Sequence, residues 1–153
     1  MRITKYSIEM ECDGRNILVK ENAKNYPETS NLNSPQKIVK MMNDIYNVTV
    51  KAEEYMWLIA LDTKCKPIGL FEVSHGTVNS SIVSPREIFV RLCLCGAAFF
   101  ILVHNHLSHD VSPSREDVET TNRFKKAGEL MNIKLLDHII IGDGYYSFNE
   151  NVW

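Results

Sequence analysis

The sequence predicts an α/β (α+β) domain in which helices layer against one mixed sheet. Two observations carry this expectation. Apolar runs of strand length recur at Tyr55 to Leu61, Ile68 to Val73, Ala98 to Val103 and Ile133 to Ile141, with turn residues between them. Other segments open with helix-start chemistry, Ser34-Pro35 and Ser84-Pro85-Arg86-Glu87, and continue with apolar residues at helical spacing. A chain of 153 residues suits one compact domain, and a domain that size buries roughly 70% of its unfolded surface. The expected organisation is a hairpin and connector over residues 1–33, followed by the domain proper over 34–153.

The elements are expected in this order. Ile3, Tyr6, Ile8 and Met10 alternate loosely, Asp13-Gly14 is a hairpin turn signal, and Ile17-Leu18-Val19 is the returning run. Residues 21–33 are polar, contain Pro27, and read as a connector. Ser34 caps a helix with Pro35 at its first position and Ile38, Met41, Met42 and Ile45 on its apolar face, ending near Asn47. Two strands follow, joined by the turn Asp62-Thr63-Lys64. The helix from Ser84 carries Ile88, Phe89, Leu92 and Cys95 and stops near Gly96. Ala98 to Val103 is apolar on both faces, as a central strand is. A polar loop, a helix from about Ser114 to Met131, the strand to Ile141 and a short last strand from Tyr145 to Phe148 complete the chain.

Composition removes several function classes. Hydrophobic residues make up 44% and charged residues 24%, values of a globular rather than a disordered or membrane protein. A net charge of -2 lacks the Lys/Arg surplus that gripping phosphates requires, so nucleic acid is a partner the charge does not favour. Cys12, Cys65, Cys93 and Cys95 form no C-x-x-C pair and read as reduced thiols, the last two as core filler. There is no apolar stretch of signal-peptide or membrane-spanning length. Reduced thiols without an export signal point to the cytoplasm and away from a membrane.

The chemistry concentrates after the central strand, in His104-Asn105-His106 and the segment up to Asp117. Period-two alternation puts both imidazoles on one face of a strand end, where they can share one Zn²⁺. Asp117, in the first turn of the next helix, can supply a third ligand. Two histidines and one carboxylate leave a fourth zinc position open for water, the arrangement of catalytic rather than structural sites. A glutamate is the usual base for moving the proton of that water. Taken alone, Ser114-x-x-Asp117 is a helix cap and the histidines are loop residues. Their combination, H-x-H, seven residues, Ser, two residues, Asp, is far more specific.

That pattern resembles the signature of the JAMM (MPN-type) metalloproteases, H-x-H-x7-S-x2-D, over His104, His106, Ser114 and Asp117. The chain is most similar to the RadC-like branch. The features are Ala60-Leu61-Asp62-Thr63, Gly76-Thr77, Ser84-Pro85-Arg86-Glu87-Ile88, His104-Asn105-His106, Leu136-Asp137-His138-Ile139-Ile140 and Ser147-Phe148, spread over about residues 34 to 150. The resemblance implies a helix–sheet–helix JAB/MPN domain of cytidine-deaminase-like architecture. It implies one Zn²⁺ per chain held by His104, His106 and Asp117, with Ser114 positioning or stabilising an oxyanion. It implies an upstream glutamate that activates water, best matched by Glu54, with Glu53 and Glu72 as alternatives. The implied activity is amide-bond hydrolysis of a peptide or isopeptide by a monomer or homodimer.

Three departures and two competing readings accompany this. RadC-like loops read H-N-H-P-S-G-D, whereas Leu107 and His109 stand here for Pro and Gly. Leu loosens the loop, His disfavours positive φ, and His109 could enter as a fourth ligand. Full-length members also carry an N-terminal helical, DNA-binding-like segment, while residues 1–33 read as a hairpin. A DNA-repair-linked or nucleic-acid accessory role and a non-catalytic scaffold on the same fold are the alternatives. Zinc deaminases expect H-x-E and P-C-x-x-C, and no C-x-x-C is present. Asp137-His138 reads first as a satisfied core pair and second as a contact to the metal site. His75 reads as a turn residue, Ser84/Glu87 as a cap, and Trp57 and Trp153 as packing.

Overall fold

The computed structural model describes residues 1–76 and 83–152. Thr77 of the Gly76-Thr77 pair and Trp153 lie outside them. Seven strands form one mixed sheet: β1 (Arg2–Met10), β2 (Asn16–Asn25), β3 (Glu54–Leu61), β4 (Pro67–Gly76), β5 (Phe99–Asn105), β6 (Lys134–Gly142) and β7 (Gly144–Ser147), in the order β2-β1-β4-β3-β5-β6-β7. Among the described residues four α-helices accompany it, α1 (Pro35–Tyr46), α2 (Pro85–Cys95), α3 (Arg115–Met131) and the single turn α4 (Phe148–Asn151), with a 3-10 turn at Val48–Val50. The layered α+β class rests on two apolar clusters on opposite sheet faces. Ile38, Met41, Met42 and Ile45 of α1 pack on Trp57, Ile59, Leu61, Ile101, Val103, Ile139 and Ile141. Ile88, Phe89 and Leu92 of α2 and Phe124 of α3 pack on Met56, Leu58, Ala60, Phe100 and Leu102. Alternate residues of β3 and β5 serve the two faces, which is why both strands are apolar throughout.

The N-terminal hairpin continues this sheet. β1 lies parallel to β4 through Lys5 and Leu70, and Ile3 belongs to the α1-side core. The second hairpin strand runs to Asn25, paired with Arg2, so residues 21–25 are strand rather than connector. Its apolar residues Ile17, Leu18 and Val19 lie in its first half, so over residues 21–25 the backbone ladder to β1 holds it, and the charges there suit an exposed sheet edge.

Helix ends obey local chemistry. Asn47, Gly96 and Asn132 close α1, α2 and α3 in the left-handed region that ends helices. Ser84 and Glu87 form a complete capping box on α2. Ser147 ends β7, and its hydroxyl accepts from the Glu150 amide, so Phe148 opens a helical turn instead of finishing a strand. His75 is a strand residue, with its Nδ1 2.9 Å from a Glu72 carboxylate oxygen and its ring stacked on Tyr55. Trp57 is core, as expected. Cys95 is partly buried and its thiol is pushed up to about 11 by burial, whereas Cys93 is exposed and fills no core. All four cysteines are unpaired. No helix among the described residues is long and apolar enough to cross a membrane.

Two features of the sheet position the histidines and Asp117. β5 and β6 are parallel and α3 connects them, so the end of β5 and the first turn of α3 meet at the carboxyl end of these interior strands, the usual place for a site in such units. In β6 the register shifts between Phe100/Leu135 and Ile101/Asp137, so Leu136 is an extra residue. Leu136 and Asp137 both line a cleft beside α1. This bulge resets the alternation and turns His138 to the α3 face.

Candidate metal centre

His104 is a residue of β5, on the face that carries Leu102 and Phe100 toward α3. His106 comes just after the strand, on the same side. Asp117 stands in the first turn of α3, where the helix dipole favours a carboxylate. The three converge. His104 Nε2 lies 3.2 Å from Asp117 Oδ1, His106 Nε2 lies 3.3 Å from Asp117 Oδ2, and the two Nε2 atoms are 3.0 Å apart. Ligand atoms of all three fall within 4.8 Å of one another. His104 and Asp117 are buried, and His106 forms the more open side.

Ser114 shapes the carboxylate. Its backbone amide and its hydroxyl both donate to Asp117 Oδ2, at 2.8 and 2.6 Å, and its oxygen accepts from the Asp117 amide at 3.1 Å. The capping box thus occupies Oδ2 and leaves Oδ1 turned to His104. Burial pushes the Asp117 carboxyl up, but hydrogen bonds with His104 and His106, the His104 charge and Ser114 outweigh it and hold Asp117 well below the ordinary carboxylate range. The hydrogen bond to Asp117 raises His106 above the ordinary imidazole value against desolvation, helped by the Asp110 carbonyl and the charges of Asp117 and Glu54.

The donor set fits a divalent cation. His106 Nδ1 lies 2.7 Å from the Asp110 carbonyl oxygen, which can only accept. The imidazole proton therefore sits on Nδ1, and the Nε2 lone pair of a neutral His106 points inward. That lone pair and the Asp117 oxygens face one another with only protons or a cation to reconcile them. Two imidazole nitrogens and one carboxylate oxygen are a zinc-type set with room for a fourth ligand.

The loop that holds His106 is tied at several points. The His109 amide donates to the His106 carbonyl at 3.1 Å, and the Asp143 amide donates to the His109 carbonyl at 2.8 Å. His109 adopts φ +60°, so the imidazole does not prevent positive φ here; histidine is among the residues enriched in the left-handed region. Its ring is half-exposed, 3.8 Å from Asp143, and is not in the cluster. Gly142 permits this closure: a Cβ there would lie 2.7 Å from the His109 carbonyl carbon.

Residues 32–153 match the RadC-like JAB domain. The chain belongs to that family. A UPF0758 protein of Pelobacter propionicus is 46% identical over 118 residues, covering 76% of this chain and 51% of that protein. A UPF0758 protein of Caldanaerobacter subterraneus subsp. tengcongensis is 39% identical over 131 residues, covering 86% and 54%. One of Clostridium kluyveri is 52% identical over 94 residues, covering 61% and 41%. The chain spans about half the length of these curated relatives.

Two of the RadC-like sequence features prove to be halves of one arrangement. Ser147 donates to Asp137 Oδ2 at 2.6 Å, and the Asn149 amide donates to Oδ1 at 3.0 Å. Phe148 stacks on His138 with centroids 5.3 Å apart. Burial raises the Asp137 carboxyl despite those hydrogen bonds. Asp137 is therefore the satisfied core group expected, but the His138 imidazole is not its partner: His138 Nε2 lies 2.8 Å from His104 Nδ1, behind the cluster. The reading of Asp137-His138 as one core pair is corrected: strand alternation sends the two side chains to opposite faces, and the bulge at Leu136 gives the α3 face to His138.

The upstream glutamates separate by position. Glu54 is half-buried at the start of β3, two residues before Met56, which pairs with His104. Continuing that register sets Glu54 level with His106, whose proton its charge stabilises. Glu53 is exposed in the preceding turn. Glu72 pairs with Trp57 and binds Lys5 at 3.2 Å and His75 at 2.9 Å, away from the cluster. Sequence reasoning missed Asn105. Its side chain accepts from the Tyr55 amide at 2.8 Å and donates to the Glu53 carbonyl at 3.0 Å, so it grips the backbone on both sides of Glu54. A buried asparagine between two histidines at a strand end was the available signal.

Proposed function

We propose that this domain is a zinc-dependent hydrolase that cleaves an amide bond, in a peptide or isopeptide, with activated water. The observation that carries this reading is the inward convergence of His104 Nε2, His106 Nε2 and the Asp117 carboxylate beside Glu54. Zinc held by those three residues would supply Lewis acidity, acidifying water and polarising the scissile carbonyl. Glu54, gripped through its neighbours by Asn105, would accept the proton of the attacking water as the C–O bond forms. It would return that proton to the departing amine as the C–N bond breaks. Ser114 sets the carboxylate in place. For its hydroxyl to meet the oxyanion it must turn from Asp117 Oδ2, which keeps the backbone hydrogen bond from Ser114.

The test is a panel of peptide and isopeptide amides incubated with zinc-loaded protein and with Glu54→Gln. The expected result is turnover of at least one amide by the wild type, with the variant retaining zinc and losing about 100-fold or more in rate, the scale of a general base. Full activity in Glu54→Gln, or wild-type turnover that survives removal of zinc, contradicts the reading.

A further inference from the structure

Thr121 and His138 are fully buried on the α3 face, yet neither belongs to the cluster. Their hydrogen bonds form a chain that has only one consistent assignment. Thr121 Oγ1 lies 2.6 Å from the Asp117 backbone carbonyl. A carbonyl only accepts, so the single hydroxyl proton goes there. Thr121 Oγ1 also lies 2.6 Å from His138 Nδ1. Having spent its proton, the oxygen must accept, so His138 is protonated on Nδ1. A neutral His138 then carries its lone pair on Nε2, 2.8 Å from His104 Nδ1. That contact needs a proton, and only His104 can provide it. His104 thus carries a proton on Nδ1, and when the ring is neutral its Nε2 lone pair is directed at Asp117 and His106. The opposite assignment would press two acceptors together at 2.6 Å, at Thr121 and the Asp117 carbonyl, or at 2.8 Å between the two rings.

We infer that His138 and Thr121 are positioning residues that fix the tautomer and ring orientation of His104, anchoring them on the backbone carbonyl of Asp117. The anchor closes a ring. Asp117 offers its carboxylate to the cluster and, through its carbonyl, dictates which nitrogen of His104 faces that carboxylate. His106 reaches the same tautomer in one step through the Asp110 carbonyl. His104, buried on an interior strand, has the His138 ring rather than a backbone carbonyl as its Nδ1 partner and borrows a carbonyl through two side chains. Phe148, stacked on His138, holds the middle link flat. The inference deepens the metal reading of the cluster and rests on it for its consequence, but the tautomer of His138 is a property of the protein with or without metal.

Long-range ¹⁵N–¹H NMR of the imidazoles reads the tautomers, and chelator competition reads zinc affinity. In metal-free wild type, His138 is expected as the neutral Nδ1–H form. With zinc, His104 is expected as Nδ1–H and bound through Nε2. Thr121→Val, which keeps the shape and removes the acceptor, should release the His138 tautomer and weaken zinc by about 10- to 100-fold, the usual cost of losing a ligand's outer hydrogen-bond partner. Thr121→Ser should restore both, which separates the hydroxyl from packing. An Nε2–H tautomer for His138 in the wild type overturns the inference, as does unchanged tautomer and zinc affinity in Thr121→Val. If the wild type binds no zinc, the metal reading fails while the His138 spectrum still decides the relay.

Discussion

The N-termini of α2 and α3 carry the same device with different consequences. Each begins with a serine N-cap whose oxygen accepts from the third helical amide, while the third side chain reaches back to the serine amide. In α2 the box is Ser84 and Glu87, exposed, with contacts of 3.3 and 3.4 Å. In α3 it is Ser114 and Asp117, with contacts of 2.8 and 3.1 Å and a further 2.6 Å bond from the hydroxyl to the carboxylate. Aspartate is one methylene shorter, so its carboxylate stays close against the helix end, and α3 delivers that end to the tip of β5. The comparison teaches that a capping motif becomes a candidate ligand only through what its third residue meets: solvent for Glu87, two imidazoles for Asp117.

The contrast breaks most sharply at the third residue. Asp117→Ala should remove zinc from the protein outright, while Glu87→Ala should leave zinc content unchanged, both read by metal analysis of purified protein. Zinc retained in Asp117→Ala would make the two boxes equivalent. The serines give a smaller, graded difference. Ser114→Ala should weaken zinc by about tenfold in chelator competition, since the carboxylate loses a bond that orients it, and should also destabilise the fold by about 1 kcal/mol in denaturant. The smallest effect is Ser84→Ala, about 1 kcal/mol or less of stability with zinc affinity intact. An equal loss of zinc affinity from both serines would reduce the α3 box to a helix cap.

The His104, His106 and Asp117 cluster was legible because its members are close in sequence and each sits on or beside an element whose period is known: His104 and His106 on one side of a strand end, Asp117 one capping turn into a helix. The surroundings of the cluster were less legible because they depend on registers that no local pattern states. One extra residue, Leu136, decides that His138 rather than Asp137 backs His104. Strand β2 runs through polar residues because β1 supplies its hydrogen bonds. His109 occupies a left-handed conformation because Gly142 lets its carbonyl lie against β6, a pairing across more than thirty residues of sequence. The resemblance favoured Glu54, but the physical reason to set Glu72 aside came only with the pairing of β3 with β4 and β5, which placed Glu72 opposite Trp57.

Zinc content tests the metal centre most directly. Mass spectrometry of untagged wild-type protein, after zinc is supplied, should find about one zinc per chain, the stoichiometry of a single site of this donor set, and His106→Ala should lose it. A wild type that takes up no zinc, or a His106→Ala protein that holds as much as the wild type, would contradict the account and leave Ser114 and Asp117 as a helix cap beside two loop histidines.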